Sequence, residues 1–153
     1  MSVCYFEDIP EGAVYWSPPF VVDREEMLAY SRLNDPWPFH IDSEAARATH
    51  FGGVIASGGY IITLMYRSCH TIYNKANEPW AFLGGFDWTV KFRMPVKAGD
   101  VLRNRTTVFD KRLSSKPGRG LAKFRHELVN EANESVFVLE AVAMLATRPK
   151  SDL

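Results

Sequence analysis

The chain has 153 residues, about the size of one ordinary globular domain. Hydrophobic residues make up 46% of it and charged residues 24%, which excludes a disordered or collagen-like chain. The 18 Lys and Arg balance the 18 Asp and Glu, so the chain lacks the overall positive charge typical of duplex-binding proteins. We therefore expect no nucleic-acid partner.

The sequence also gives no sign of a membrane segment or a metal site. The longest stretch without a formal charge, residues 51–66, contains four glycines and is too short to span a bilayer. The first residues lack the basic region and apolar block of a signal peptide, so we expect a cytoplasmic protein without membrane association. Cys4 and Cys69 are too few for a disulfide framework, and the four histidines lack zinc-site spacing. We predict no metal.

The first part of the chain combines one strand with short helices. A capping-box-like pair, Asp23 and Glu26, begins the first helix, and Pro36 and Pro38 prevent it from continuing. Asp42 can cap a second short helix, which the following glycines end. In chain order we predict a strand, a helix, a stiff loop and a second helix: 14–21, 23–34, 34–40 and 44–48.

The second part contains one long helix and then strands. Residues 59–73 are apolar nearly all round, which is typical of a helix buried on most sides. After Pro79, runs rich in Val, Phe and Thr alternate with turn residues and indicate strands. Both faces of the last strand are apolar, so we expect it to be central. The five predicted strands are 81–86, 88–92, 101–109, 121–130 and 135–147.

This order of elements predicts an α+β fold in which an antiparallel sheet wraps around one long central helix, the hot-dog architecture. One sheet cannot cover such a helix on every side. Joining the sheet of a second copy edge to edge solves this problem. We therefore expect a homodimer or an assembly of dimers.

A carboxylate and an imidazole lie five residues apart in the segment DPWPFH, at Asp35 and His40, on a loop stiffened by two prolines. Together these groups can hold one water, position it as a nucleophile and exchange its protons. The spacing alone also fits a turn-forming Asp and a His that only makes hydrogen bonds.

A second motif, ASGG, comes directly before the long helix. The free amides and the positive end of the helix dipole at Ser57 and Gly58 can hold an anionic oxygen, such as that of a thioester enolate. The alternative is that Ser57 is only an N-cap and that the glycines permit a turn.

Taken together, these segments resemble the MaoC-like acyl dehydratases, relatives of (R)-specific enoyl-CoA hydratases. The resemblance covers nearly the whole chain and implies one MaoC-like hot-dog domain over 1–153. The hydratase motif is Asp, any residue, Asn, Pro, an apolar residue and His, and 35–40 matches it except at Trp37, which replaces the Asn. The similar segments are FEDIPEG (6–12), DPWPFHID (35–42), FGGVIASG (51–58) and MPVKAGD (94–100).

The resemblance implies a hydro-lyase. Asp35 and His40 would activate the water that adds to C3 of a trans-2-enoyl-CoA, giving an (R)-3-hydroxyacyl-CoA, or would catalyse the reverse dehydration. The Gly58 amide would bind the thioester oxygen, with Ser57 and Trp37 as further substrate-binding residues. No cofactor is implied, because coenzyme A is part of the acyl-CoA substrate.

Two alternatives stay open. A hot-dog thioesterase usually carries a carboxylate at the helix start, but residues 51–77 contain no Asp or Glu. A non-catalytic acyl-thioester-binding subunit is the other alternative, if Trp37 has closed the water site. His50, His70 and His126 are interpreted as structural or exposed. Four aromatic residues are interpreted as core residues that can alternatively line an acyl tunnel: Trp80, Phe82, Phe86 and Trp88.

Overall fold

Four helices are present in the computed structural model, which describes residues 1–150. Asp23 caps the first one through its carboxylate, which accepts the Glu26 N–H at 2.8 Å, as the sequence predicts. The long apolar helix forms as predicted and begins one residue earlier. The helices are α1 (Arg24–Asn34), α2 (Pro38–Ile41), α3 (Ser43–Arg47) and α4 (Gly58–Tyr73), and a 3₁₀ turn covers Phe6–Asp8.

The main sheet is antiparallel, with strand order β1-β6-β7-β8-β5, and β2 pairs with β6. A separate hairpin, β3–β4, was not predicted. The last strand is interior, as predicted, but β7 rather than β8 occupies the middle of the sheet. The strands are β1 (Val14–Trp16), β2 (Phe20–Val21), β3 (Asn74–Lys75), β4 (Glu78–Pro79), β5 (Phe82–Phe92), β6 (Val101–Leu113), β7 (Arg119–Asn130) and β8 (Ser135–Ala146).

Two strand predictions were wrong in detail. The segments 81–86 and 88–92 form the single strand β5, because irregular pairing with β8 on both sides of Gly84 and Gly85 absorbs the break in the apolar pattern. The predicted strand 14–21 is two strands, since its two adjacent prolines have no N–H to donate to the sheet.

Helix α4 packs against one face of the sheet, and this contact forms the main core. Fully buried side chains of α4, β6, β7 and β8 meet there, among them Leu64, Leu102, Leu128, Phe137 and Leu139. The predicted arrangement of a sheet around one central helix is confirmed. It places the start of α4 beside the end of β5, where the candidate site lies.

No helix within residues 1–150 combines the length and apolar character needed to cross a membrane.

Candidate active site

Asp35 and His40 are held by the end of α1 and by α2. Asp35 is the C-cap of α1, where its N–H donates to the Ser31 carbonyl oxygen at 2.9 Å. The predicted stiff loop over 34–40 is wrong in its last part, because α2 begins at Pro38. Proline suits this first helical position, since its fixed φ is helical and its missing N–H would have had no partner. One helical turn therefore carries His40 back toward Asp35.

The side chains of Asp35 and His40 meet. His40 Nε2 lies 3.4 Å from Asp35 Oδ2, and the two side chains are 8% and 39% exposed, respectively. On the other side of the ring, His40 Nδ1 lies 2.8 Å from the Ile55 carbonyl oxygen. A carbonyl oxygen only accepts, so Nδ1 carries the proton, and in the neutral ring the lone pair of Nε2 points to the Asp35 side.

With this tautomer the pair has the geometry to hold one water molecule. Neutral His40 and ionised Asp35 present two acceptors 3.4 Å apart, which cannot bond to each other. A water molecule has two hydrogens and satisfies both acceptors at once. A protonated His40 would instead donate directly to Asp35, so the same geometry holds either the water or the proton taken from it.

The start of α4 lies beside His40. Ser57 is buried and acts as the N-cap of α4, with its Oγ accepting the Tyr60 N–H at 3.4 Å. The N–H of Gly58 is in the first turn and has no partner among residues 1–150. A Cβ atom at Gly58 would lie 2.8 Å from Phe92 Cζ, so a side chain here would displace the Phe92 ring.

One cavity of about 420 Å³ is lined by both His40 and Gly58. Asp35 does not line it directly but contacts His40, which does. Trp37 does not line it either. Its side chain is 61% exposed and stacks on Phe39 with 6.3 Å between ring centroids. The structure thus brings together Asp35, His40 and Gly58, places Ser57 as a buried cap behind them, and leaves Trp37 outside.

A second cavity, of about 540 Å³, follows the same seam between α4 and β5. One helical turn separates Ile61, which lines the first cavity, from Met65, which lines the second. Three of the four predicted tunnel aromatics line the second cavity, namely Phe82, Phe86 and Trp88. Trp80 does not, and packs against Tyr15 and Tyr73 instead.

Sequence reasoning missed a polar cluster in this second cavity. Cys69, Tyr73 and His126 line it from α4 and β7. Tyr73 Oη lies 3.1 Å from His126 Nε2, and His126 Nδ1 lies 2.9 Å from Thr106 Oγ1. Burial lowers the pKa of His126 to about 4 and raises that of Cys69 to about 11. The sequence did contain a sign of this cluster. Thr106 and His126 are polar residues at strand positions that face the helix, and most of the other helix-facing positions of these strands are apolar.

Residues 6–129 match the profile of the family described as the MaoC like domain. The chain is a MaoC-like protein. A UPF0336 protein of Streptomyces avermitilis is 26% identical to it over 85% of this chain and 86% of the relative.

Two solved structures share the fold over nearly the whole chain. The MaoC-like dehydratase of Rhodospirillum rubrum has a TM-score of 0.84 and 27% identity, covering 95% of this chain and 99% of the other. The (R)-hydratase of A. caviae involved in PHA biosynthesis has a TM-score of 0.69 and 18% identity, covering 94% and 99%. The chain thus belongs to the hot-dog dehydratase family that its motifs resemble.

Proposed function

We propose that this MaoC-like protein is a hydro-lyase that adds water to a trans-2-enoyl-CoA to give an (R)-3-hydroxyacyl-CoA, or catalyses the reverse dehydration. One observation carries the proposal. The facing acceptors Asp35 Oδ2 and His40 Nε2, 3.4 Å apart, lie next to a cavity that the first amide of α4 also lines. These are the parts that a hydration needs, namely a held water and a donor for the developing enolate.

The proton steps follow from the His40 tautomer. The water donates one hydrogen to Asp35 and one to Nε2 of His40, while its oxygen bonds to C3 of the enoyl group. As the bond forms, one water proton passes to His40 and the π electrons of the C2–C3 double bond move to the thioester oxygen. The imidazolium, stabilised by Asp35, then returns its proton to C2 on the same face. The product gains one H and one OH, and the enzyme is unchanged.

The enolate oxygen would bind the N–H of Gly58. This donor is fixed by the first turn of α4, and the helix dipole adds positive potential at the same point. Charge develops on the thioester oxygen only as the reaction proceeds. The interaction therefore favours the transition state over the bound substrate.

The acyl chain would run along the α4–β5 seam from the first cavity to the second. Between them lie Ile62 and Val90, which pack against the core and are only partly buried. The lining of the second cavity is mainly apolar and aromatic, as a hydrocarbon chain requires. This path supports a substrate with an extended acyl group.

No specific observation favours either the thioesterase or the acyl-thioester-binding subunit. No Asp or Glu lines the cavity beside Gly58, so the attacking carboxylate of a thioesterase is missing from that lining. Trp37 stacks on Phe39 instead of lining the cavity, so it does not close the water site in the way that the binding-subunit alternative requires.

We also propose a homodimer, formed through β5. This strand ends the sheet order, and its other edge has no strand partner among residues 1–150. Natural sheets rarely leave so long an edge uncovered. Its exposed large apolar side chains are Leu83, Phe86, Trp88 and Phe92.

The proposed activity is tested by following the absorbance of the enoyl-thioester band while trans-2-enoyl-CoAs of short, medium and branched chain are mixed with the protein. We expect the band to be lost with at least one substrate, and this loss to be abolished in His40→Ala. Release of free coenzyme A thiol without hydration of the double bond would indicate a thioesterase. Binding without turnover would indicate an acyl-thioester-binding subunit.

A further inference from the structure

The far end of the second cavity is polar, although the rest of its wall is mainly apolar. Met65, Phe124 and Leu139 are typical of that wall, and Phe82 and Trp88 face them from β5. Among them, Cys69, Tyr73 and His126 bring a thiol, a hydroxyl and an imidazole to a region of the core. Buried polar groups cost free energy unless they are hydrogen-bonded, so their partners need to be accounted for.

Each hydrogen bond of the cluster can be assigned a donor and an acceptor. Asn104 Nδ2 donates to Ser68 Oγ at 2.9 Å and to Cys69 Sγ at 3.2 Å. Thr106 Oγ1 donates its only hydrogen to Asn104 Oδ1 at 3.1 Å. Thr106 must therefore accept from the nearby His126 Nδ1, 2.9 Å away, which fixes the proton on that nitrogen.

Tyr73 ends this chain of hydrogen bonds. Because His126 is neutral and its Nδ1–H is directed to Thr106, its Nε2 accepts the hydroxyl hydrogen of Tyr73, at 3.1 Å. The phenolic oxygen also lies within hydrogen-bonding reach of the side chains of Thr106 and Cys69, and it has more than one lone pair with which to accept. The hydrogens of Thr106 and His126 are thus taken up within the cluster, and Tyr73 brings its phenolic oxygen to the cavity wall as an acceptor.

We propose that the second cavity binds an acyl chain that carries a hydroxyl group at its far end, and that this hydroxyl donates a hydrogen bond to Tyr73 Oη. This inference rests on the proposed function and specifies its substrate class. A ketone would find no donor there, because the hydrogens of Tyr73 and His126 are both used. A carboxylate would find no Lys or Arg, since neither residue type lines the cavity within the described part of the chain.

The distance from Gly58 to the polar cluster determines how long the acyl chain of the ligand must be to reach it. Cys69 lies 11 residues along α4 from Gly58, which is roughly 16 Å at 1.5 Å per residue. The Tyr73 side chain leans back toward the helix N-terminus and so lies near the same level. With carbon–carbon bonds near 1.5 Å, an extended chain needs on the order of 12 carbons to cover this span.

The test measures binding separately from turnover. Saturated acyl-CoAs of 10, 12 and 14 carbons cannot be hydrated, and each is titrated calorimetrically with and without a terminal hydroxyl. At one length we expect the hydroxyl to tighten binding about 10-fold, as one well-placed neutral hydrogen bond does. A ketone at the penultimate carbon of that chain should give no gain.

Two variants test whether the tighter binding of the hydroxylated acyl-CoA depends on Tyr73 Oη. Tyr73→Phe keeps the ring and removes the acceptor, so it should lose the preference for the hydroxylated chain while still binding the plain one. Tyr66→Phe is the matched control, because Tyr66 lines the exposed side of the same cavity, and it should keep the preference. Thermal melting checks that both variants are folded.

Equal affinity for plain and hydroxylated chains at every length would overturn the inference, as would a preference that survives in Tyr73→Phe. The rate of hydration of plain trans-2-dodecenoyl-CoA separates this failure from that of the proposed function. If that substrate is hydrated and no hydroxyl preference exists, only the inference is wrong. If it is not hydrated and no acyl-CoA binds, both are wrong.

Discussion

His40 Nδ1 lies 2.8 Å from the carbonyl oxygen of Ile55, three residues before the first residue of α4. This contact fixes the orientation of the imidazole relative to the helix whose first amide completes the site. It also decides which ring nitrogen carries the proton and which would act as the proposed base, since a carbonyl oxygen cannot donate. Together with the bond from the Ile55 N–H to the Phe39 carbonyl oxygen, at 3.2 Å, it ties His40 to the segment that leads into α4.

Removal of either acid/base group should lower the hydration rate. We expect Asp35→Asn and His40→Ala each to reduce kcat at least ~100-fold, the usual minimum for the loss of a general acid or base. His50→Ala is the control, because His50 is an exposed histidine close in sequence and should be nearly as active as the unaltered protein. Steady-state kinetics on the best enoyl-CoA measures this. Near-normal rates in both site variants would refute the mechanism.

The absence of a side chain at Gly59 should matter for stability. A Cβ atom there would collide with the hydroxyl of Tyr30. We expect Gly59→Ala to lower the free energy of unfolding by about 1–3 kcal/mol, despite the better helix propensity of Ala. Combining Gly59→Ala with Tyr30→Phe, which removes the hydroxyl, should recover much of the lost stability. Urea unfolding of both single variants and the double variant measures the coupling, and strictly additive effects would contradict the proposed collision.

These contacts show what the sequence could and could not predict. Asp35 and His40 were identified because they lie at the spacing of the hydratase motif that the sequence resembles, with two prolines among the four residues between them to restrict the backbone. Tyr73 and His126 were not identified as a pair, since 53 residues separate them and each is an ordinary residue of its helix or strand. Only the packing of α4 on β7 brings them together. The single strand β5 was missed because its glycines mark irregular pairing rather than a turn.

His126 should make stability depend on pH. An unfolded His has a pKa near 6.5, and burial lowers the pKa of His126 to about 4. Between these values the unfolded chain binds the proton more readily than the folded one, so stability falls as pH falls from 6.5 to 4. The contribution of this one group is about 3 kcal/mol over that range.

The His126 contribution is measured as a difference between variants, because carboxylates titrate in the same range. Urea unfolding at pH 7.5 and pH 4 should show a smaller loss of stability in His126→Gln than in the unaltered chain. His70→Gln replaces an exposed histidine and should show the full loss. The same pH dependence in all three proteins would mean that His126 is not buried in its neutral form.

We predict a specific register for the proposed dimer. If Thr89 lies on the two-fold axis of an antiparallel β5 pair, Asp87 faces the partner subunit's Lys91 and Phe86 faces the partner subunit's Phe92. This register pairs opposite charges and apolar side chains, whereas like charges directly opposite are unfavourable. Thr89→Cys should therefore form a disulfide-linked dimer on mild oxidation, because the two β-carbons would lie within disulfide range.

Lys91→Cys is the control for the register, since its two copies would be four positions apart along the paired strands. It should form little disulfide under the same conditions, as judged on a non-reducing gel. Light scattering of the unaltered protein should give the mass of a dimer or a multiple of it. A monomer at micromolar concentration, or faster cross-linking of Lys91→Cys, would contradict the proposed pairing.

The stereochemistry of the product tests the central claim most directly, because in the proposed mechanism one water held between Asp35 and His40 supplies both the oxygen at C3 and the proton at C2. The protein is incubated with a trans-2-enoyl-CoA in deuterium oxide, and the product is examined by NMR and chiral analysis. The mechanism predicts an (R)-3-hydroxyacyl-CoA with one deuterium at C2 on the same face as the new hydroxyl. A product of opposite or mixed configuration, or no hydration of any enoyl-CoA tested, would contradict it.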